Sequence, residues 1–296
     1  MKRILFALLI PFTAQAKLNV VATLPDLAAI AREIGGNLVD VTSLAKPTED
    51  AHFVDAKPSF IVKLNRADVL IEGGAELETG WLPPLLESAR NPKLTRIAIA
   101  PHIQMLEVPT ALDRSKGDVH ALGNPHFMTD PVNGKIAAHL ICDAFCTRDA
   151  KNCDTYQANL AKFDAQLDGK LAEWQKLLAP FHGAQIVAYH NTWPYFANRF
   201  QLKIDLFLEP RPGIPPTPAH LNEVIQQMKA DKIHVIIVEP YQNRKTAETV
   251  AHDTGAIVLS FAQYPGGAKG TEGGYIELID YLVKSLANVL GTEAKL

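Results

Sequence analysis

Ten histidines stand in these 296 residues, and three of them have neighbourhoods that set them apart from the rest. His52 lies in Pro47-Thr-Glu-Asp-Ala-His-Phe53, a polar loop just past an apolar run ending near Leu44. His126 lies in Gly123-Asn-Pro-His-Phe-Met-Thr-Asp-Pro131, a turn-rich loop ahead of a helical stretch, and His190 directly follows the strand-like run 185–189. Neutral imidazole is a natural ligand for zinc, and three imidazoles with a fourth oxygen donor make a tetrahedral site. Taken singly, each is more simply a surface-loop or satisfied core histidine. Their long separations fit no local spacing rule such as H-E-x-x-H. The chemistry therefore depends on a fold that gathers them.

Open α/β sheets provide such a place, because ligands bind beyond the carboxyl ends of their strands. Lys17 to Thr23 reads as a short strand, followed by helical spacing from Leu27 to a Gly-Gly stop at Gly35. Val39 to Leu44, Val69 to Ile71 and Ile97 to Ile99 are again strand-like, with a helical stretch near Ser59 to Asn65. The second half repeats the alternation. Strands are expected at 185–189, 206–208, 235–238 and 257–259, and helices at Thr192 to Phe200, Ala219 to Met228, Thr246 to Asp253 and Tyr275 to Leu290. Strands alternating with helices predict βαβ units and a mostly parallel sheet in each half.

Between the halves, Asp154 to about Pro180 contains no interior proline and one glycine. Tyr156, Leu160, Phe163, Leu167, Leu171, Trp174 and Leu178 recur there in steps of three and four, one stripe of a single helix roughly 40 Å long. The predicted organisation is an N-terminal lobe over 17–152, a linking helix over 153–182 and a C-terminal lobe over 183–296. A mature chain of about 280 residues is the size at which single cores divide.

Met1-Lys-Arg, an apolar run from Ile4 to about Thr13 and Ala14-Gln-Ala16 describe a secretory signal peptide over residues 1–16. The run is far short of the roughly 20 residues that span a bilayer, so a soluble exported protein is expected, in the periplasm. In that oxidising compartment, Cys146 and Cys153 bracket a short polar stretch and can close a disulfide loop, and Cys142 reads as a buried free thiol. The alternative, a cysteine metal site, lacks paired C-x-x-C spacing. With 29 basic and 32 acidic residues and no basic block interleaved with aromatics, nucleic acid is not an expected partner.

Three segments resemble the histidine loops of the zinc- and manganese-binding solute-binding proteins of ABC importers: Ala45 to Ser59 around His52, Gly123 to Pro131 around His126, and Tyr189 to Phe200 around His190. Glu209 to Leu221 resembles one branch of that family, and the likeness covers essentially the whole mature chain. It implies two α/β lobes tied by one long helix, a metal site in the cleft, an inner-membrane permease as partner and a monomer in solution. Zn²⁺ is the implied cargo, with Mn²⁺ less favoured because harder ions prefer more carboxylate oxygens. Most members of the family place an Asp in the loop corresponding to Ser260–Pro265, which here reads Ser-Phe-Ala-Gln-Tyr-Pro.

Glu239, just past the strand 235–238, is the proposed substitute in the set His52, His126, His190 and Glu239. Water, Asp50 and Glu49 are alternatives. His120, in a polar glycine-containing stretch, reads as a solvated loop histidine that loop movement could bring in. His102, His139, His182, His220, His234 and His252 fit bland loop or helix roles. Trp193, Tyr195 and Phe196 either wall the cleft or simply pack a helix. A zinc hydrolase is the competing function: it would keep one coordination position open for water, with Glu239 as base, yet no nucleophile elbow supports it.

Overall fold

In the computed structural model, residues 16–110, 120–211 and 213–293 are described. The predicted signal peptide lies outside them apart from Ala16. Among the described residues no helix is long and apolar enough to cross a membrane.

The two halves are built to the same plan. Strands β1 (Leu18–Ala22), β2 (Val39–Ser43), β3 (Val69–Glu72) and β4 (Thr95–Ala98) form a parallel sheet in the order β2-β1-β3-β4. Strands β5 (Gln185–Ala188), β6 (Lys203–Phe207), β7 (Val235–Val238) and β8 (Ile257–Ser260) form a second in the order β6-β5-β7-β8. All pairings are parallel. The right-handed crossovers that parallel strands demand are supplied by α1 (Pro25–Gly35), α2 (Pro58–Arg66) and α3 (Leu82–Ala89) in the first half. In the second they are α6 (Pro194–Phe200), α7 (Pro218–Asp231) and α8 (Arg244–Thr254).

Helix α4 (Pro131–Arg148) leads into α5 (Cys153–Leu178), and α9 (Tyr275–Glu293) closes the chain. The Cys146–Cys153 disulfide staples the α4–α5 corner, and Cys142 is a buried free thiol. The helix expected to begin at Thr192 starts at Pro194 instead: proline suits the first helical position and disfavours helical geometry in the residue before it. Helix α3 had no counterpart in the sequence reading, because its eight residues begin Leu-Pro-Pro and span barely two turns.

Helix α5 buries Tyr156, Phe163, Leu167, Trp174 and Leu178, spaced by seven and four, so the stripe faces one way along about 39 Å of helix. It is bound on both sides. Asn159 Nδ2–H donates to the Ile34 carbonyl at the end of α1 (3.0 Å), and Trp174 Nε1–H donates to Asp280 of α9 (3.0 Å). One continuous apolar core runs from the first sheet through α1, α4, α5 and α9 to one face of the second sheet, where Ile186, Ala188, Val235 and Ile237 meet it. The alternate residues Val187, Tyr189, Ile236 and Val238 point to the other face, under α7 and α8, as the two-residue period of a strand requires.

Candidate metal centre

The carboxyl ends of the two sheets supply the loops that carry the histidines. Beyond β2 the chain turns through a short 3₁₀ segment, Ala51–Phe53. Asp50 caps it: its Oδ1 accepts from the His52 amide (3.0 Å) and meets the His52 ring at Nδ1 (2.8 Å). Burial pushes the Asp50 carboxyl up, but the hydrogen bond and charge of His52 outweigh it and hold its pKa below the usual 3.8.

His126 sits one residue before the turn Phe127–Thr129 that leads into α4. Its loop is fastened from several directions. Asn124 Oδ1 accepts from the His126 amide (3.0 Å), Tyr195 Oη–H donates to the Asn124 carbonyl (2.8 Å), and Arg199 of α6 grips the α4 cap Asp130 with two bonds of 2.8 Å. Tyr275, at the start of α9, donates to the Met128 carbonyl (2.8 Å). It reaches there by lying flat on Gly134, where a Cβ would stand 2.2 Å from its ring. Tyr195 thus holds the His126 loop directly, whereas Trp193 donates to Glu239 and Phe196 packs against Trp193 and Phe200.

His190 follows β5, and its Nδ1 meets Glu209 Oε2 (2.7 Å), the first carboxylate beyond the neighbouring strand β6. Burial pulls the His190 imidazole down, yet Glu209 more than compensates and raises its pKa above 6.5. His126, buried and ringed by His52, His190 and His120, is held well below that value.

The three rings converge. Centroid separations are 5.1 Å for His52–His126, 5.8 Å for His52–His190 and 5.5 Å for His126–His190. One nitrogen from each lies within 4.8 Å of the others. In each ring Nδ1 is engaged, by Asp50, Gln263 and Glu209 respectively, which leaves the Nε2 atoms for a shared ligand. Tethering the remote nitrogen fixes the ring and the tautomer, as around a bound metal.

For His126 the tether is an amide. Gln263 Nε2–H donates to His126 Nδ1 (2.9 Å), while Tyr241 Oη–H donates to Gln263 Oε1 (2.9 Å). A metal on His126 Nε2 needs the proton on Nδ1, and turning the Gln263 amide over offers Oε1 to receive it.

Glu239 is buried at the end of β7. Its Oε1 accepts from Trp193 Nε1–H (2.7 Å), and its Oε2 has no hydrogen-bond partner. Burial pushes this carboxyl up to about 7, against the pull of His190. It stands outside the group of donor atoms that lie within 4.8 Å of one another. Glu49 is spent on its own turn, accepting from the Lys46 amide (3.1 Å). His139 pairs with Asp164, His220 with the Phe207 carbonyl and His252 with Asp253. His120, read from sequence as a solvated loop residue, is half-buried with its Nε2 3.1 Å from His52 Nε2. Glu209 and Gln263 had no assigned role in the sequence reading. Their signal was positional: each stands just past a strand end, on the same side of the sheet as His190.

A model of the family of periplasmic zinc-uptake complex component A proteins matches residues 20–289. The metal ABC transporter substrate-binding lipoprotein SloC of Streptococcus mutans is 26% identical over 294 residues, with 97% of this chain and 94% of SloC covered. The iron ABC transporter substrate-binding lipoprotein MtsA of Streptococcus pyogenes is 27% identical over 258 residues, covering 82% of this chain and 79% of MtsA. A crystal structure of ZnuA superposes with a TM-score of 0.80 at 24% identity, over 92% of this chain and 99% of that one.

Proposed function

The chain belongs to the zinc-uptake complex component A family of periplasmic proteins, and on that premise we propose that its cargo is zinc. As a metal-binding, substrate-binding component of an ABC importer it works with a membrane permease and is not an enzyme. The zinc-hydrolase alternative therefore falls.

The observation that carries the zinc reading is the convergence of His52, His126 and His190 with every Nδ1 already tethered. Neutral imidazoles suit zinc, whereas manganese is better served by carboxylate and carbonyl oxygens. The relatives divide on this point, since MtsA is named for iron and SloC only for metal. Three imidazoles leave one tetrahedral position. Glu239, through its unpartnered Oε2, and His120 are the two groups at hand for it. The same reading takes residues 1–16 as a signal peptide removed on export, 153–182 as the linking helix, and 17–152 and 183–296 as the lobes that present the loaded site to the permease.

The test is elemental analysis of protein purified without added metal, followed by titration of zinc, manganese and ferrous iron against a competing chelator. Zinc is expected to be retained and to outcompete the others by orders of magnitude. His126→Ala or His190→Ala should lower zinc affinity by about a thousandfold, roughly 4 kcal/mol, with circular dichroism unchanged. Manganese or iron bound in preference to zinc overturns the reading.

A further inference from the structure

We propose that His120 is the fourth ligand, so that the ion is held by four imidazoles and no carboxylate; this rests on the zinc reading and sharpens it. His120 Nε2 lies 3.1 Å from His52 Nε2, with the ring centroids 5.2 Å apart and tilted by 35°. Zinc–imidazole bonds of about 2.0–2.1 Å set neighbouring nitrogens of a tetrahedral centre about 3.3 Å apart. The His52–His120 spacing is therefore already that of two ligands on one ion.

Asp50 engages His52 at Nδ1, so His52 faces His120 through Nε2, the nitrogen it would offer an ion, and His120 meets it with its own Nε2.

The backbone supports this placement. The Ala121 amide donates to Glu76 Oε2 (2.6 Å), anchoring the residue after His120 to the first lobe. The Gly123 amide returns to the His120 carbonyl (3.2 Å) in a tight turn. Gly123 has φ +104°, a conformation open essentially to glycine, and a Cβ there would lie 2.7 Å from the Leu106 carbonyl oxygen. His120 and His126 are thus presented from opposite ends of one short fixed segment.

Glu239 competes less well for the position. One of its oxygens is committed to Trp193, whereas His120 already faces a ligand nitrogen at 3.1 Å. An all-imidazole donor set is neutral and soft by comparison with carboxylate. It raises the preference for zinc over manganese beyond what three histidines give.

The deciding experiment is zinc K-edge X-ray absorption on the one-to-one zinc complex of the full mature chain, beside chelator-competition titrations of wild type, His120→Ala and Glu239→Gln. Four imidazole nitrogens at about 2.0 Å are expected in wild type. In His120→Ala, three imidazoles plus one oxygen should remain, with affinity down about 10- to 100-fold. Three imidazoles and one oxygen in wild type, with His120→Ala within twofold of wild-type affinity, overturn the proposal while leaving the zinc reading intact. If Glu239→Gln also removes that oxygen, Glu239 is the fourth ligand. Failure of wild type to bind zinc in competition instead rejects the zinc reading itself.

Discussion

A buried glutamate stands past β3 in the first lobe and another past β7 in the second, and the two are treated in opposite ways. Glu78, beyond β3, is saturated: Oε1 accepts from Thr23 Oγ1–H (2.7 Å) and the Gly73 amide (2.8 Å), and Oε2 from the Gly74 amide (2.9 Å). Glu239, beyond β7, has one donor, Trp193, and an Oε2 with none. Burial raises the pKa of both. Buried polar atoms are nearly always paired, so the difference separates two uses of a buried carboxylate. The first lobe spends its carboxylate on closing a turn against β1. The second keeps one beside His190 with a lone pair unspent, next to the site that will receive a cation.

The contrast breaks most visibly at Glu78. Glu78→Ala strands one hydroxyl and two amide donors in the interior, a loss of about 3–5 kcal/mol. At roughly 2–4 °C per kcal/mol for a chain of this size, the melting temperature of the metal-free protein should fall by about 10 °C. Zinc affinity of the folded fraction should change by less than about threefold, near 0.6 kcal/mol. A loss of zinc affinity as large as that of a histidine variant would show that the saturated carboxylate serves the site after all.

Glu209 tests the second lobe more finely, because it acts on the metal only through His190. Glu209→Gln should lower zinc affinity by about 10- to 100-fold, the usual cost of removing a ligand's supporting carboxylate. It also has a pH signature in the metal-free protein. His190 has a folded-state pKa above its unfolded value. The stabilisation from its pairing with Glu209 is therefore full below about 6.5 and fades as pH rises through the higher folded value. Thermal unfolding of the variant should show a larger deficit at pH 5.5 than at pH 8.5. An equal deficit at both would mean that Glu209 merely packs there.

The sequence exposed what depends on period and on residue type. The stripe from Tyr156 to Leu178 is local, so the 3.6-residue repeat announced α5 directly. Strand ends could be placed within a residue or two, and with them His52 and His190. The site's supporting shell was hidden because it is tertiary. Glu209 reaches His190 only because β6 lies beside β5, and Gln263 reaches His126 only because the β8–α9 loop crosses to the α4 cap. His120 failed for a related reason: a polar, glycine-containing stretch looks solvated until Gly123 and Glu76 are seen fixing its backbone. The loop 260–265, which carries no carboxylate, supplies the Gln263 amide that tethers His126 at Nδ1.

The smallest and most discriminating effect belongs to Glu239→Gln. In wild type, pH rising from 4.5 to about 7 ionises this carboxyl in the unfolded chain while the folded chain keeps its proton. Stability therefore falls across that window and stays lower above it. Glutamine removes that penalty but brings an amide N–H that also lacks a partner, which offsets much of the gain. A net rise of about 1 kcal/mol at pH 8, a few degrees in melting temperature, is expected in the metal-free protein, with no rise at pH 4. Zinc affinity should drop less than tenfold, because the variant loses only a nearby charge. A lower melting temperature at pH 8 would mean that Oε2 is satisfied in solution and that Glu239 and Glu78 are alike. A zinc loss as large as that of His190→Ala would move Glu239 from neighbour to ligand.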